Sequence, residues 1–180
     1  MLHITVPARE FYDESTEEFI EIKEQTLTME HSLISISKWE AKWKKPYLSR
    51  EEKTREEVLD YLRCMTIGKE PDPSVYRALT KENIQDISDY INDSMTATTF
   101  KDVGPKGNRE IITSEIIYYW MIAQNIPTEY EKWHLNRLIT LIKVCSIKNN
   151  PNQKKMSRSE IARQNHAINA ARRKKYGTRG

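Results

Sequence analysis

The clearest helical pattern of apolar residues lies in the first third of the chain. Leu33, Ile36, Trp39 and Trp43 fall on one face of a helix with 3.6 residues per turn. Pro46 ends the pattern, because proline lacks the amide hydrogen that a continuing helix needs. This segment therefore predicts an amphipathic helix with a bulky aromatic face.

Two capping motifs predict the next helices. Ser49 and Glu52 have the spacing of a capping box, in which each side chain accepts a backbone amide of the first turn, so a helix is expected to run from there to about Met65. Thr80 is expected to cap a further helix. The apolar faces consist of Val58, Leu59, Leu62 and Met65 on the first helix and of Ile84, Ile87 and Ile91 on the second.

The middle of the chain changes character twice. A threonine-rich stretch and a Gly-Pro turn favour a small hairpin that pairs Thr98–Lys101 with Arg109–Ile112. The next segment, Ile116–Ala123, is apolar or aromatic on every side. It is interpreted as a buried central helix in preference to a surface that partners cover. Thr128 and Glu131 then form another capping box, before what should be the longest core helix.

The N-terminal segment is acidic and less regular. Apolar alternation around Ile20 and Leu27 is compatible with short strands or a hairpin. The pattern as a whole predicts a mainly α protein, a single helical domain with a minor short-strand component and a basic C-terminal extension. The expected division is an acidic arm at 1–27, a helical core domain at 28–148 and a basic, partly helical, mobile tail at 149–180.

Charge is distributed unevenly between body and tail. From Lys148 onward the chain has ten basic residues and one acidic residue, a net charge of +9, whereas the remainder has 19 basic and 25 acidic residues, a net charge of −6. The basic tail, with Arg172, Arg173, Lys174 and Lys175, is a candidate electrostatic segment. Non-specific binding to nucleic acid phosphates is one interpretation. A solvated end or a contact with an acidic protein is preferred, because the acidic body would repel a duplex.

Catalytic and metal-binding patterns are absent from the sequence. The histidines are scattered and none pairs with another at ligand spacing, so surface or capping roles are favoured over a catalytic base. Cys64 and Cys145 stand far apart and are interpreted as reduced core thiols. No apolar run is long enough for a membrane span, and the N-terminus does not resemble a secretory signal. The expectation is a cytoplasmic protein that is not an enzyme and needs no cofactor or metal.

Aromatic residues are the main candidates for a binding surface. The candidate protein-binding residues are Trp39, Trp43, Tyr119, Trp120 and Trp133. For Trp39 and Trp43, one helical turn apart, a place in the core is favoured first, a protein interface second and stacking on nucleic acid third.

A series of short strings, in one order, resembles the tail assembly chaperones of long-tailed bacteriophages, the siphophages. The strings are MEHSLISISKWE at 29–40, YLRCMT at 61–66, MTATTF at 95–100, NREIITSEIIYYW at 108–120, KWHLNRL at 132–138 and NAARRKK at 169–175. They span about residues 29 to 176, and none of them carries chemistry by itself. A virion structural protein of the minor tail is the second interpretation, and a DNA-binding accessory protein is the third.

The resemblance implies a function in virion assembly. Such a chaperone binds the aggregation-prone tape measure protein in the host cytoplasm and helps the tail-tube protein assemble around it. It would be absent from the mature virion. The implied partners are therefore the tape measure and tail-tube proteins, self-association is compatible with this role, and neither nucleic acid nor membrane is expected as a partner.

Overall fold

The computed structural model describes residues 1–13, 17–100 and 111–149, with residues 159, 162–163, 165–169 and 173. The strands are β1 Leu2–Val6, β2 Arg9–Asp13, β3 Glu18–Ile22 and β4 Gln25–Met29. The α-helices are α1 Leu33–Trp43, α2 Arg55–Met65, α3 Lys81–Asn92, α4 Ser114–Ala123 and α5 Leu135–Lys148, and two 3₁₀-helices span Pro73–Arg77 and Thr128–Lys132. Two compact units divide the chain, Met1–Ser146 and Ile147–Gly180. The described residues from 159 onward are helical.

The four strands form two antiparallel ladders that share one register. β1 pairs with β4 and β2 pairs with β3, and in every opposed pair the two residue numbers add up to 31. The strands therefore follow the course of one long hairpin with an interruption. Pro7 lies at the interruption and cannot donate a ladder hydrogen bond.

The expectation of a mainly α fold is wrong. The fold is mixed α/β, although largely helical, with two small antiparallel sheets. β3 and β4 lie where alternation indicated strands, whereas β1 and β2 lie where the sequence was interpreted as irregular. The β1–β4 ladder buries Ile4, Val6, Leu27 and Met29 on one face. The pattern failed for β1 because a five-residue strand has little periodicity of its own and its paired residues in β4 lie 19 to 27 positions away.

Helix α1 forms the centre of the unit Met1–Ser146. Its predicted apolar stripe is confirmed, since Leu33, Ile36 and Trp39 are buried, and it packs against both α2 and α4. Ser32 caps its first turn by accepting the amide of Ser35. Its last turn ends at Lys44, which adopts a left-handed conformation with φ of 55°. The prediction of a helix ending before Pro46 is therefore confirmed.

The start of α2 differs from the prediction. The capping box is formed by Thr54 and Glu57, not by Ser49 and Glu52: the Thr54 hydroxyl accepts the amide of Glu57, and the Glu57 carboxylate accepts the amide of Thr54. The same spacing therefore occurs twice within a few residues. The second copy prevails because Glu57 also binds Lys45 at 2.6 Å, which ties the cap to the segment after α1.

The remaining helices confirm some details and correct others. Thr80 caps α3 as predicted, through a reciprocal pair of hydrogen bonds with Asn83. Thr128 does not cap a long helix; it begins a 3₁₀-helix, and α5, the longest of the described helices, starts only at Leu135. α4 exists but is buried on one face only, through Ile117 and Met121. Of the predicted hairpin, residues 98–100 and 111–112 are described and form no strand, whereas Lys101, Arg109 and Glu110 lie outside the described residues.

Candidate protein-binding groove

Trp39 and Trp43 join α1 to α2. Their rings stack with centroids 6.2 Å apart. Trp39 is buried and donates its indole N–H to the carbonyl oxygen of Glu57 at 2.8 Å. Trp43 is half-buried and donates to the Asp60 carboxylate at 2.9 Å. Both indole N–H groups are thus hydrogen-bonded within the fold, which agrees with the core role that the sequence favoured first.

The other three candidate aromatic residues lie on separate surfaces. Tyr119 projects from α4 and is 66% exposed. Trp120 is half-buried and lines a shallow depression with Leu48 and Ile111. Trp133 is half-buried, stacks on Tyr130 at 4.2 Å and lies under the Arg137 guanidinium at 4.1 Å. Within the described part of the chain, no ring contact joins these three residues into one patch.

Only one of the candidate tail residues lies within the described residues. Arg173 is helical and exposed. Arg172, Lys174 and Lys175 lie outside the described residues.

A groove between α2 and α3 forms a mainly apolar cavity with a volume of about 480 Å³. We call it the α2–α3 groove. One wall consists of Arg55, Val58, Leu59 and Leu62, and the other of Ile84, Ile87, Ser88 and Ile91. Each set has the spacing i, i+3, i+4, i+7, which places its members on one face of a helix. One face of α2 and one face of α3 therefore line the same space.

The groove leaves apolar side chains in contact with solvent. Val58 is 44% exposed and Ile84 is 54% exposed, although both belong to the apolar faces predicted from the sequence. Leu62 and Ile87 on the same walls are buried. The amphipathic patterns of α2 and α3 are thus only partly satisfied within the described chain.

Aromatic rings support the groove from below. Tyr47 and Tyr61, both lining residues, stack with centroids 3.9 Å apart. Tyr76 from the first 3₁₀-helix donates its hydroxyl to Thr66 at 2.8 Å. Burial raises the pKa of all three phenols, so each remains a neutral hydroxyl at ordinary pH. These three aromatic side chains therefore add no charge to the lining of the groove.

The charged side chains that line the groove all have one sign. They are Lys53, Arg55 and Arg77, and among the residues that the structure describes no carboxylate lines the groove. The Lys53 ammonium lies 4.7 Å from the centre of the Tyr47 ring. Arg55, at the first position of α2, forms no ion pair within the described residues. The groove thus combines an apolar floor with a cationic rim.

Behind the groove lies a buried histidine pair that sequence reasoning missed. The rings of His31 and His134 are 5.1 Å apart, and His31 Nδ1 lies 2.5 Å from the Tyr61 hydroxyl. His134 Nε2 contacts the carbonyl oxygen of Tyr90 at 2.9 Å, and its Nδ1 accepts the amide of Asn136. Burial, and then the charge of His134, lower the pKa of His31 to about 4. No local sequence pattern predicts the pair, because His31 and His134 are about a hundred positions apart.

The cysteines are free thiols, and both are half-buried where core positions were expected. Burial raises the pKa of the Cys64 thiol, which disfavours the reactive thiolate. Among the described residues, no three histidine, cysteine or acidic side chains are grouped closely enough to hold a metal ion. Over the same residues, no helix combines the length and apolar character needed to cross a membrane.

Comparison with known proteins gives no relative. No family model matches the chain, and neither a curated protein nor a solved structure is similar to it.

Proposed function

We propose that this protein is a non-enzymatic assembly chaperone that binds a client polypeptide in the α2–α3 groove. The observation that carries the proposal is the pair of facing apolar stripes, with Val58 and Ile84 left open to solvent. Exposed apolar residues scattered singly are ordinary, but here they converge in a concave site. Burial of such a site by a partner is favoured by the hydrophobic effect at roughly 25 cal/mol per Å².

The client we propose is a phage tape measure protein. The strings between residues 29 and 176 that resemble tail assembly chaperones support this choice, and they include parts of α1, α2 and α4. The resemblance implies a client that is long and aggregation-prone, and a long helical client would present apolar stripes that such a groove can cover. A chaperone in the host cytoplasm would cover these stripes and then leave, so it would be missing from the mature virion.

Co-expression with the tape measure protein of the same genome tests the proposal. We expect the client to remain soluble and to co-purify with the intact chain. Ile84→Glu and Val58→Glu place a carboxylate in the groove and should abolish co-purification. Ile122→Glu is the matched control, because Ile122 is 75% exposed on α4 and does not line the groove. Circular dichroism of each variant checks that the fold is retained.

Two results would overturn the proposal. One is an intact chain that leaves the tape measure protein insoluble. The other is co-purification that Ile122→Glu abolishes and Ile84→Glu does not, which would place the client on α4, beside Tyr119. Mass spectrometry of purified particles separates chaperone from structural protein, since stoichiometric amounts in the virion would favour a minor tail component.

A further inference from the structure

We infer that the α2–α3 groove takes a single amphipathic α-helix whose apolar stripe is flanked by acidic side chains. This inference rests on the proposed function in one respect, namely that the partner is a polypeptide. It adds the conformation and the charge of the bound segment.

The two walls of the groove are faces of helices, and a helical occupant can pack against both of them. Each wall offers side chains over eight residues, or roughly 10 Å of helix axis. α2 is supported from behind by α1, and α3 is supported by β1, so the two walls are fixed by different elements. The side chains of a third helix placed between the two walls would pack between the side chains of α2 and of α3, as in ordinary helix–helix packing.

An extended segment fits this site less well. A bound strand gains much of its affinity from main-chain hydrogen bonds to a free sheet edge. Both walls of this groove are helices, whose amides and carbonyls are already paired within α2 and α3. A strand in the groove would therefore lose its hydrogen bonds to water without replacement.

The rim indicates the charge of the partner. Lys53 and Arg55 lie at the N-terminal end of α2, and no carboxylate of the described part of the chain lines the groove. Arg55 is exposed in the first turn of α2, where the helix dipole does not favour a cation, and it forms no ion pair within the described residues, so its guanidinium is open to an acidic partner. Acidic side chains beside the apolar stripe would supply that partner, whereas a basic helix would bring like charges together.

A pair of synthetic helices tests the inference with the full chain. Both peptides carry leucine at i, i+3, i+4 and i+7, and they differ only in having glutamate or lysine at the flanking positions. Fluorescence anisotropy of labelled peptide measures Kd. We expect the glutamate peptide to bind roughly tenfold more tightly than the lysine peptide, as two or three partly exposed charge pairs would give. This difference should shrink as salt is raised from about 0.05 M to about 0.5 M.

Two variants assign the effect to residues. The double variant Lys53→Glu with Arg55→Glu should reverse the preference, so that the lysine peptide binds more tightly. Its control is Lys23→Glu with Lys132→Glu, which makes the same change in net charge at exposed residues outside the groove. Ile84→Glu should abolish binding of both peptides.

Several outcomes would overturn the inference. If both peptides bind equally and Ile84→Glu abolishes both, the groove binds polypeptide without preference for acid, and the proposed function survives. If neither peptide binds while the tape measure protein still requires Ile84, the occupant is not a single helix. If a labelled medium-chain fatty acid binds and neither peptide does, the groove is a site for a small amphiphile. Self-association that Ile84→Glu removes would assign it to a second copy of the chain.

Discussion

His31 makes the stability of the fold depend on pH at the scale of a single side chain. Its ring is buried beside His134 and Tyr61, and its pKa is lowered to about 4. In the unfolded chain histidine titrates near 6.5, so between these values the unfolded state binds a proton that the folded state does not. Stability therefore decreases as the pH falls from 6.5 toward 4, and the decrease is complete below the lower value.

The expected size of this effect is roughly 3 kcal/mol of unfolding free energy between neutral pH and pH 4. Urea unfolding of the protein at several pH values measures it. In His31→Gln the slope over this range should largely vanish, although the variant will be less stable at neutral pH. His3→Gln serves as the control, because His3 is exposed. An unchanged slope in His31→Gln would show that the histidine ring is not held neutral by burial.

Glu40 is a second residue whose effect extends beyond its own helix. Its carboxylate accepts the amide of Tyr47 at 2.8 Å, and the amide and hydroxyl of Ser114 at 2.8 Å and 2.5 Å. One buried side chain of α1 therefore caps the start of α4, seventy-four residues later. Glu40→Ala would leave these donors without an acceptor.

We expect Glu40→Ala to cost about 3 kcal/mol of unfolding free energy, in line with the loss of buried hydrogen bonds to a charged group. Chemical denaturation measures the change. Glu52→Ala, at an exposed glutamate, should stay within about 0.5 kcal/mol of the parent. Equal losses in the two variants would contradict the capping role.

At the scale of elements, helices were predictable because their information is local. The stripe of Leu33, Ile36 and Trp39 specified α1 by spacing alone, and Thr80 marked the start of α3. The start of α2 could not be decided in this way, since two capping boxes compete within a few residues. Long-range contact with Lys45 decides between them, and such contact leaves no trace in a local pattern.

The competing caps of α2 can be separated by mutation. Thr54→Ala removes the hydroxyl that accepts the Glu57 amide, and should cost about 1 kcal/mol. Ser49→Ala should cost less than about 0.5 kcal/mol, because Ser49 lies before the helix. Thermal unfolding followed by circular dichroism at 222 nm ranks the two variants. The reverse order would restore Ser49 as the cap.

At the scale of the whole molecule, the site depends on elements that the sequence did not connect. The α2–α3 groove arises because α2 rests on α1, whereas α3 rests on β1. Val58 and Ile84 could be assigned to apolar faces from sequence, but not to a shared opening. That assignment needs the position of β1, and β1 was itself missed because its partner β4 lies on the far side of an acidic segment.

This dependence predicts that one truncation abolishes folding and binding, whereas another leaves both unchanged. Deletion of residues 1–7 removes Ile4 and Val6 from the core and uncovers Leu27 and Met29 on β4. Loss of two buried aliphatic side chains alone costs roughly 3 to 6 kcal/mol, which is a large part of the stability of an ordinary domain. The body should then lose cooperative unfolding. Because α3 rests on β1, binding in the groove should disappear with it.

Deletion of residues 150–180 should leave both the stability of the body and binding in the groove unchanged. These residues belong to the unit Ile147–Gly180, so the unit Met1–Ser146 should keep its unfolding temperature within about 3 °C. Affinity for the glutamate peptide should also be retained, since no lining residue of the groove is removed. Calorimetry and anisotropy on the two truncated chains measure both properties. If the C-terminal deletion abolished peptide binding while the fold persisted, the basic tail, rather than the cationic rim of the groove, would be responsible for recognising acidic helices.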